Sequence, residues 1–178
     1  MKCNQPFLVA AGQISDDEME VGSIALSALW GGFLNQFTCY DSPNKVLNDL
    51  PDEDGLILLK GDAGQSYYEG PSWIEALGAW KKPVILFVSP TVSGNTSGIA
   101  FAYEALCKKL SIPLIGLVQI GGPWNIEKKK FDNLPWCGWL PSNQKEALSL
   151  KKVEKSDGFM ETYIVVERLR NSALSLCL

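Results

Sequence analysis

Short apolar runs alternate along this chain with longer segments of helical periodicity, and this alternation restricts the fold more than any other feature of the sequence. Such runs, bounded by turns rich in Gly, Pro or charge, are typical of strands buried in a parallel sheet. The pattern predicts βαβ units and an α/β fold, a three-layer αβα sandwich with a mostly parallel central sheet of five or six strands. We expect a single α/β domain over residues 1–178.

The predicted strands cover residues 7–11, 36–40, 55–59, 84–88 and 114–120, with a shorter sixth candidate at 134–141. The predicted helices cover residues 18–34, 71–78 and 96–110, and a last one carries Phe159, Tyr163, Val166 and Leu169 on one side. In the helix over 96–110 we expect a buried stripe made of Ile99, Phe101, Ala102, Ala105 and Leu106.

The composition excludes several classes of chemistry. The chain contains no histidine, which removes Ser-His-Asp, Cys-His and His-metal mechanisms. Its two arginines, Arg168 and Arg170, lie close to the C-terminus, so no arginine clamp is expected elsewhere. The net charge of -4 favours neither nucleic acid nor an anionic membrane surface as a partner.

The cysteines and the hydropathy pattern bear on localisation. Five cysteines are scattered without a CxxC pair, which is typical of reduced thiols in a cytoplasmic protein. No apolar run reaches the roughly 18 residues of a membrane span, and no targeting segment is recognisable. We therefore expect a cytoplasmic protein without a membrane partner.

Ligands of open parallel sheets bind beyond the carboxyl ends of the strands, so four segments are candidates for a site. Residues 12–18 occupy the position of a phosphate loop but lack its lysine and are acidic, which favours a solvated loop. Residues 60–65 contain two glycines that either approach a ligand or form a plain turn. Residues 89–98 are rich in hydroxyl side chains and glycine, which suits either a phosphate-binding helix N-terminus or an ordinary helix N-cap. Residues 119–125 contain the side-chain amide of Gln119, a glycine pair and the ring of Trp124.

Two further segments have simpler interpretations. The tryptophans at 124, 136 and 139 together with Phe131 form either a recognition surface or the cover of a small core. The run Lys128-Lys129-Lys130 is interpreted as solvated.

Three stretches follow one another between residues 54 and 141: DGLILLKGDAG, then WIEALGAWKKPVILFVSPTVSGNTSGIAFAYEALCKKLSIPLIGLVQIGG, then LPWCGWLP. Their order resembles the second half of dethiobiotin synthetase and its relatives among the P-loop NTPases. The resemblance implies a nucleotide-binding site, with ATP and Mg²⁺ as ligands. It matches Gly61, Ala63 and Gly64 to the Gly-rich turn near magnesium, Gln119 to an asparagine that contacts adenine, and Leu140 and Pro141 to the last strand of the base pocket.

Within this interpretation Asp62 is the candidate metal ligand, and Ser93, Asn95 and Thr96 are the candidate anion donors. Because Lys60 replaces the glutamate of the family's turn and the phosphate-loop lysine is absent, we expect a degenerate, non-hydrolysing relative. Whether the chain is an enzyme stays open, and no catalytic residue is assigned.

Two alternatives remain. A flavodoxin-like, flavin-binding NAD(P)H reductase would bind FMN, with SGNTSGIA resembling a phosphate loop and residues 62–68 and Trp73 touching the flavin. A non-catalytic scaffold or interaction module would use the Trp-rich strand as its contact surface. We expect a small-molecule ligand in either of the first two cases, and a homodimer is left open in all three.

Overall fold

The computed structural model describes residues 5–66, 70–142 and 157–176, and within them strands and helices alternate. The elements are β1 (Phe7–Ala10), α1 (Asp16–Trp30), β2 (Phe33–Thr38), α2 (Pro43–Asp49), β3 (Gly55–Lys60), α3 (Trp73–Ala79), β4 (Val84–Val88), α4 (Gly98–Lys109), β5 (Leu114–Ile120), α5 (Ile126–Phe131), β6 (Trp136–Leu140) and α6 (Asp157–Leu176). This succession confirms the predicted α/β class.

The six strands form one parallel sheet in the order β2-β3-β1-β4-β5-β6. One face carries α1 and α6, and the other carries α2, α3 and α4, which gives the three-layer αβα sandwich. The central strands β1, β3 and β4 are buried because helices cover both of their faces. β2 lies at one edge, where Phe33 is 65% exposed.

The prediction was wrong about the end of α1 and the start of β2. The helix ends at Trp30 rather than residue 34, and the strand begins at Phe33 rather than residue 36. At Gly32, with φ of 76°, a Cβ atom would lie 2.0 Å from the carbonyl oxygen of Asp54. The chain turns here because only glycine combines this conformation with so close a backbone approach.

The predicted buried stripe of α4 was also wrong. Its buried side chains are Ala100, Tyr103 and Cys107, whereas Ile99 and Phe101 are each 41% exposed. In α6, Val166 and Leu169 are buried as predicted but Tyr163 is 45% exposed, and the side chain of Phe159 lies outside the described residues. The helices α2 and α5 were not predicted.

Both arginines join α6 to neighbouring elements. Arg170 donates from one nitrogen to the carbonyl oxygens of Leu29 and Trp30, at 2.9 and 2.8 Å, in the last turn of α1. Arg168 donates to the carbonyl oxygen of Cys137 in β6 at 3.1 Å. The guanidinium of Arg170 thus satisfies carbonyl groups that the end of a helix leaves unpaired.

Among the described residues, no helix is long and apolar enough to cross a bilayer.

Candidate functional site

A crevice of about 710 Å³ opens at the carboxyl ends of β1, β3 and β4. Its walls are residues 11–14 after β1, residues 61–62 after β3, residues 89–91 after β4, and Ser97, Ile99 and Tyr103 of the α4 region. The chain leaves β1 towards α1 on one face of the sheet and leaves β4 towards α4 on the other face. Neighbouring connections that diverge in this way form the usual ligand crevice of an open α/β sheet.

The wall formed by the start of α1 is unsuited to an anion. Ser15 and Glu18 form a capping box, in which Glu18 N donates to Ser15 Oγ at 3.3 Å and Glu18 Oε2 accepts from Ser15 N at 3.2 Å. Asp16 and Asp17 add two exposed carboxylates in the same turn. The amides that a phosphate loop would offer are therefore partly used, and the local charge repels phosphate.

The wall formed by the start of α4 has the opposite character. Ser97 is the N-cap, its Oγ accepts from Ile99 N at 3.4 Å, and the first turn of α4 holds no acidic residue. Ser89 and Thr91, which follow β4, also line the crevice, and the Thr91 hydroxyl is bonded to the backbone of Asn95 within its own loop. The positive end of the α4 dipole at the Ser97 cap favours a negatively charged group at this wall.

Across the crevice, Asp62 is held in a fixed orientation. Its Oδ1 accepts from the Tyr103 hydroxyl at 2.7 Å and from Gly64 N at 2.9 Å. Burial raises the pKa of Tyr103, and the hydrogen bond to Asp62 and its charge raise the pKa further, so the phenol remains a donor. Burial, together with smaller effects of the charges of Asp62, Asp16 and Asp41, raises the pKa of the neighbouring Cys39 thiol to about 12.

Gly61 and Asp62 are the sequence-predicted site residues that line the crevice. Gly64 contacts Asp62, whereas the side chain of Ala63 is fully buried in the core beneath α3. Asp62 is the carboxylate among the described lining residues, and no group of three His, Cys, Asp or Glu side chains that could hold a metal occurs in the described parts of the chain. A magnesium ion here would need ligand oxygens besides those of Asp62.

The predicted anion donors are bonded to other parts of the protein. Ser93 Oγ lies 3.0 Å from Thr91 Oγ1, Asn95 Oδ1 accepts from Lys128 Nζ at 3.2 Å, and Thr96 is engaged by Lys129. None of these three is among the residues that line the crevice. Their hydroxyl and amide groups instead hold the loop between β4 and α4.

The predicted base-contacting residues lie towards the far edge of the sheet. Gln119 is fully buried, and its Nε2 donates to the carbonyl oxygens of Gly121 and Pro123 at 2.9 and 3.2 Å. Leu140 and Pro141 are buried at the end of β6, which β4 and β5 separate from β1. The side-chain nitrogen of Gln119 is therefore bonded to the 121–123 turn, and none of the three residues lines the crevice.

The structure also reveals a buried cation that the sequence interpretation missed. Lys129 is only 4% exposed, so the prediction of a solvated run was wrong for this residue, whereas Lys128 and Lys130 are exposed as predicted. Its Nζ donates to Thr96 Oγ1 at 2.7 Å, and the Thr96 hydroxyl donates to Asp132. The ammonium lies 4.3 Å from the ring centroid of Trp136 and 5.9 Å from that of Trp124. Burial lowers the pKa of Lys129, and Asp132 opposes part of that change.

We expect Lys129→Met to lower the free energy of unfolding by about 2 kcal/mol, because it removes the charge that Thr96, Asp132 and two tryptophan rings surround. Lys130→Met is the matched control, since the Lys130 side chain is 63% exposed in its pair with Glu127 and should contribute less than about 1 kcal/mol. Urea unfolding followed by circular dichroism measures both. Equal effects of the two substitutions would contradict a structural role for Lys129.

One residue of the crevice, Tyr103, had no clear signal in the sequence. It lies in register with Ala100 and Cys107, three and four residues away, on the buried stripe of α4. A phenol within a buried helical stripe needs a polar partner, which here is Asp62. The sequence therefore indicates a partner for Tyr103 only when it is known which face of α4 is buried.

Fold and crevice together define a class: three-layer α/β domains whose ligand site lies between diverging strand connections. No protein-family model matches the chain, and no curated protein matches it.

Proposed function

We propose that this protein binds a nucleoside phosphate together with Mg²⁺ in the crevice and does not transfer the phosphoryl group. One observation carries the proposal: the acid-free N-terminus of α4 faces the same crevice as the oriented carboxylate of Asp62. The first attracts phosphate, and the second is the type of ligand that Mg²⁺ takes when phosphate oxygens complete its coordination. A volume of about 710 Å³ lies within the usual range for small-molecule sites.

The proposal that the protein does not transfer a phosphoryl group depends on the charges that surround the crevice. Among the described residues, those that line the crevice include no lysine or arginine, and the start of α1 is acidic and self-capped. Enzymes that transfer phosphoryl groups neutralise the moving charge with such cations. This arrangement supports binding by a degenerate relative of the dethiobiotin synthetases better than it supports turnover.

The flavin alternative has less support. Flavodoxin-like sheets have the order 2-1-3-4-5, whereas here β3 lies between β2 and β1. Trp73, which would contact the flavin, is 1% exposed and donates its Nε1 hydrogen to the carbonyl oxygen of Asp41 at 3.0 Å. Residues 67–68 of the predicted flavin contact lie outside the described residues.

A panel of ligands tested by thermal unfolding separates the alternatives. With ADP or ATP and Mg²⁺ at a hundredfold excess over Kd, we expect a stabilisation of about 2.7 kcal/mol and a rise in Tm of roughly 5 °C or more. Inorganic phosphate, adenosine and FMN should each have a smaller effect. A rise in Tm with FMN and none with ADP or ATP would contradict the proposal in favour of the reductase, and no rise with any ligand would contradict both.

Asp62→Asn should abolish the part of the ADP affinity that depends on Mg²⁺. We expect a loss of about tenfold in Mg²⁺ and little change in EDTA, since the amide removes the negative charge that holds the ion. Tyr103→Phe is the matched control, because it removes the hydrogen bond to Asp62 Oδ1 and keeps the carboxylate. Isothermal titration with and without Mg²⁺ measures both variants, and an equal Mg²⁺ dependence in Asp62→Asn and the wild type would exclude Asp62 as the metal ligand.

A further inference from the structure

A second concave surface, the β6 groove, lies at the β6 edge of the sheet, and β5 separates it from the ligand crevice. It has a volume of about 150 Å³ and lies between α5, the edge strand β6 and α6. Its lining combines apolar side chains with one acidic and one basic residue: Trp124, Ile126, Trp139, Ile164, Glu161 and Arg168.

Large apolar side chains are exposed at the β6 groove. Ile126 and Ile164 in its lining are 45% and 43% exposed, and Met160, which lies one helical turn before Ile164 and outside the lining, is 54% exposed. Adjoining side chains of this size that remain in contact with water are typical of interaction surfaces. None of these residues lines the crevice, which lies at the ends of β3, β1 and β4 and is separated from β6 by β5.

The charges on α6 make this surface complementary to itself. Glu161, Ile164 and Arg168 follow one another at spacings of three and four residues, so they share one face of the helix. The acidic and basic residues stand at the two ends of this face, with the apolar residue between them. A two-fold axis near Ile164 would bring Glu161 of one copy opposite Arg168 of another, and the reverse.

We propose that the β6 groove is an interface for a second copy of this chain, in which two α6 helices pack antiparallel about a two-fold axis near Ile164. Each Glu161 then pairs with the Arg168 of the other copy, and the exposed apolar residues cover one another. The equal number of charges of each sign favours a second copy over an acidic or a basic partner. Arg168 covers the carbonyl oxygen of Cys137 at 3.1 Å, which disfavours the addition of a peptide strand to this edge.

Reversal of the charges tests the pairing. In sedimentation equilibrium between about 1 and 200 µM, we expect a reversible dimer for the wild type. Glu161→Arg and Arg168→Glu should each weaken it at least 30-fold, and the double variant should restore the affinity to within about threefold. Asp49→Arg, an exposed change on α2 near the opposite edge of the sheet, is the control and should leave the dimer intact.

A cross-linking experiment keeps the proposal testable if a charge variant fails to fold. In the proposed dimer, residue 164 of one copy lies next to residue 164 of the other copy. Residue 160 of one copy lies about 13 Å along the helix from residue 160 of the other. Mild oxidation should therefore link Ile164→Cys into a disulfide-bonded dimer. The Met160→Cys variant, whose position is more exposed, should form no more covalent dimer than the wild type.

The interface proposal is overturned if the wild type is monomeric throughout this range. It is also overturned if a dimer persists unchanged in both single charge variants, if the folded double variant stays monomeric, or if both cysteine variants cross-link equally. These readouts do not involve nucleotide, so failure of this proposal and failure of the proposed function remain distinguishable.

Discussion

Ser97→Asp is expected to weaken the binding of ADP by about 100-fold or more while leaving the free energy of unfolding within about 0.5 kcal/mol of the wild type. Ser97 is the N-cap of α4 and lines the crevice, and aspartate caps helices as well as serine does. A carboxylate roughly 5 Å from a phosphate opposes it by about 3 kcal/mol at an effective dielectric constant of 20. That energy corresponds to more than two orders of magnitude in Kd.

Ser97→Asn is the matched control, because asparagine has the same shape and capping ability but no charge. We expect it to bind ADP within about threefold of the wild type. If isothermal titration gives Ser97→Asp the affinity of Ser97→Asn, the phosphate does not lie at the start of α4. If both variants lose binding equally, the Ser97 hydroxyl rather than the helix charge would be responsible.

Alkaline pH is expected to have the second large effect, a steep loss of stability above about pH 9. Among the described residues three free thiols are buried, and burial raises the pKa of Cys39 and Cys107 from 9.0 to about 12 and that of Cys137 to about 11. The folded chain retains protons that the unfolded chain releases, so this stability is fully present below about pH 9 and is lost as pH rises towards 11–12.

Each thiol changes the free energy of unfolding by about 1.4 kcal/mol per pH unit in this window, so the three together give about 4 kcal/mol per unit. Tyr103, whose pKa is also raised, acts in the same direction at higher pH, and Lys129, whose pKa is lowered, opposes the loss. Urea unfolding under reducing conditions at pH 7.5, 9, 10 and 11 measures the slope.

Cys107→Ala identifies the contribution of one thiol. The substitution lowers stability at pH 7.5 because it leaves a small cavity, but it should reduce the slope above pH 9 by about a third. Ser111→Ala, an exposed change at the end of the same helix region, should leave the slope unchanged. An unaltered slope in Cys107→Ala would show that the buried thiols do not cause the alkaline loss.

The sheet was predictable because its buried strands are continuous apolar runs that can be recognised in the local sequence. Runs such as 55–59 and 84–88 are apolar on both faces, and only a strand covered on two sides requires this. The end of α1 was missed because apolar residues continue past Trp30 at Phe33 and Leu34, although the glycine pair at 31–32 is a local signal for a helix end and Gly31 is the C-cap. The approach of Gly32 to the carbonyl of Asp54 is a tertiary contact that the local sequence does not show.

The position of the candidate site was predictable only in part. The segments after β3 and β4 do line the crevice, with Gly61 and Asp62 among the lining residues, but residues 12–14 after β1, interpreted as a solvated loop, line it too and residues 119–125 after β5 do not. The roles of Ser93, Asn95 and Thr96 could not be read from composition, because their partners Thr91, Lys128 and Lys129 depend on how the loop packs against α5. The burial of Lys129 beneath two tryptophan rings is likewise a tertiary effect that overrides the ordinary solvation of lysine.

A titration of ¹⁵N-labelled protein with ADP and Mg²⁺, followed by amide NMR, tests whether this crevice holds a nucleoside phosphate. We predict that the largest shifts occur at Gly12, Gly61, Ser97 and Ile99, and that they saturate with one Kd. Shifts that are absent at millimolar ADP, or that concentrate at the β6 groove while these four amides stay unchanged, would contradict the proposed site.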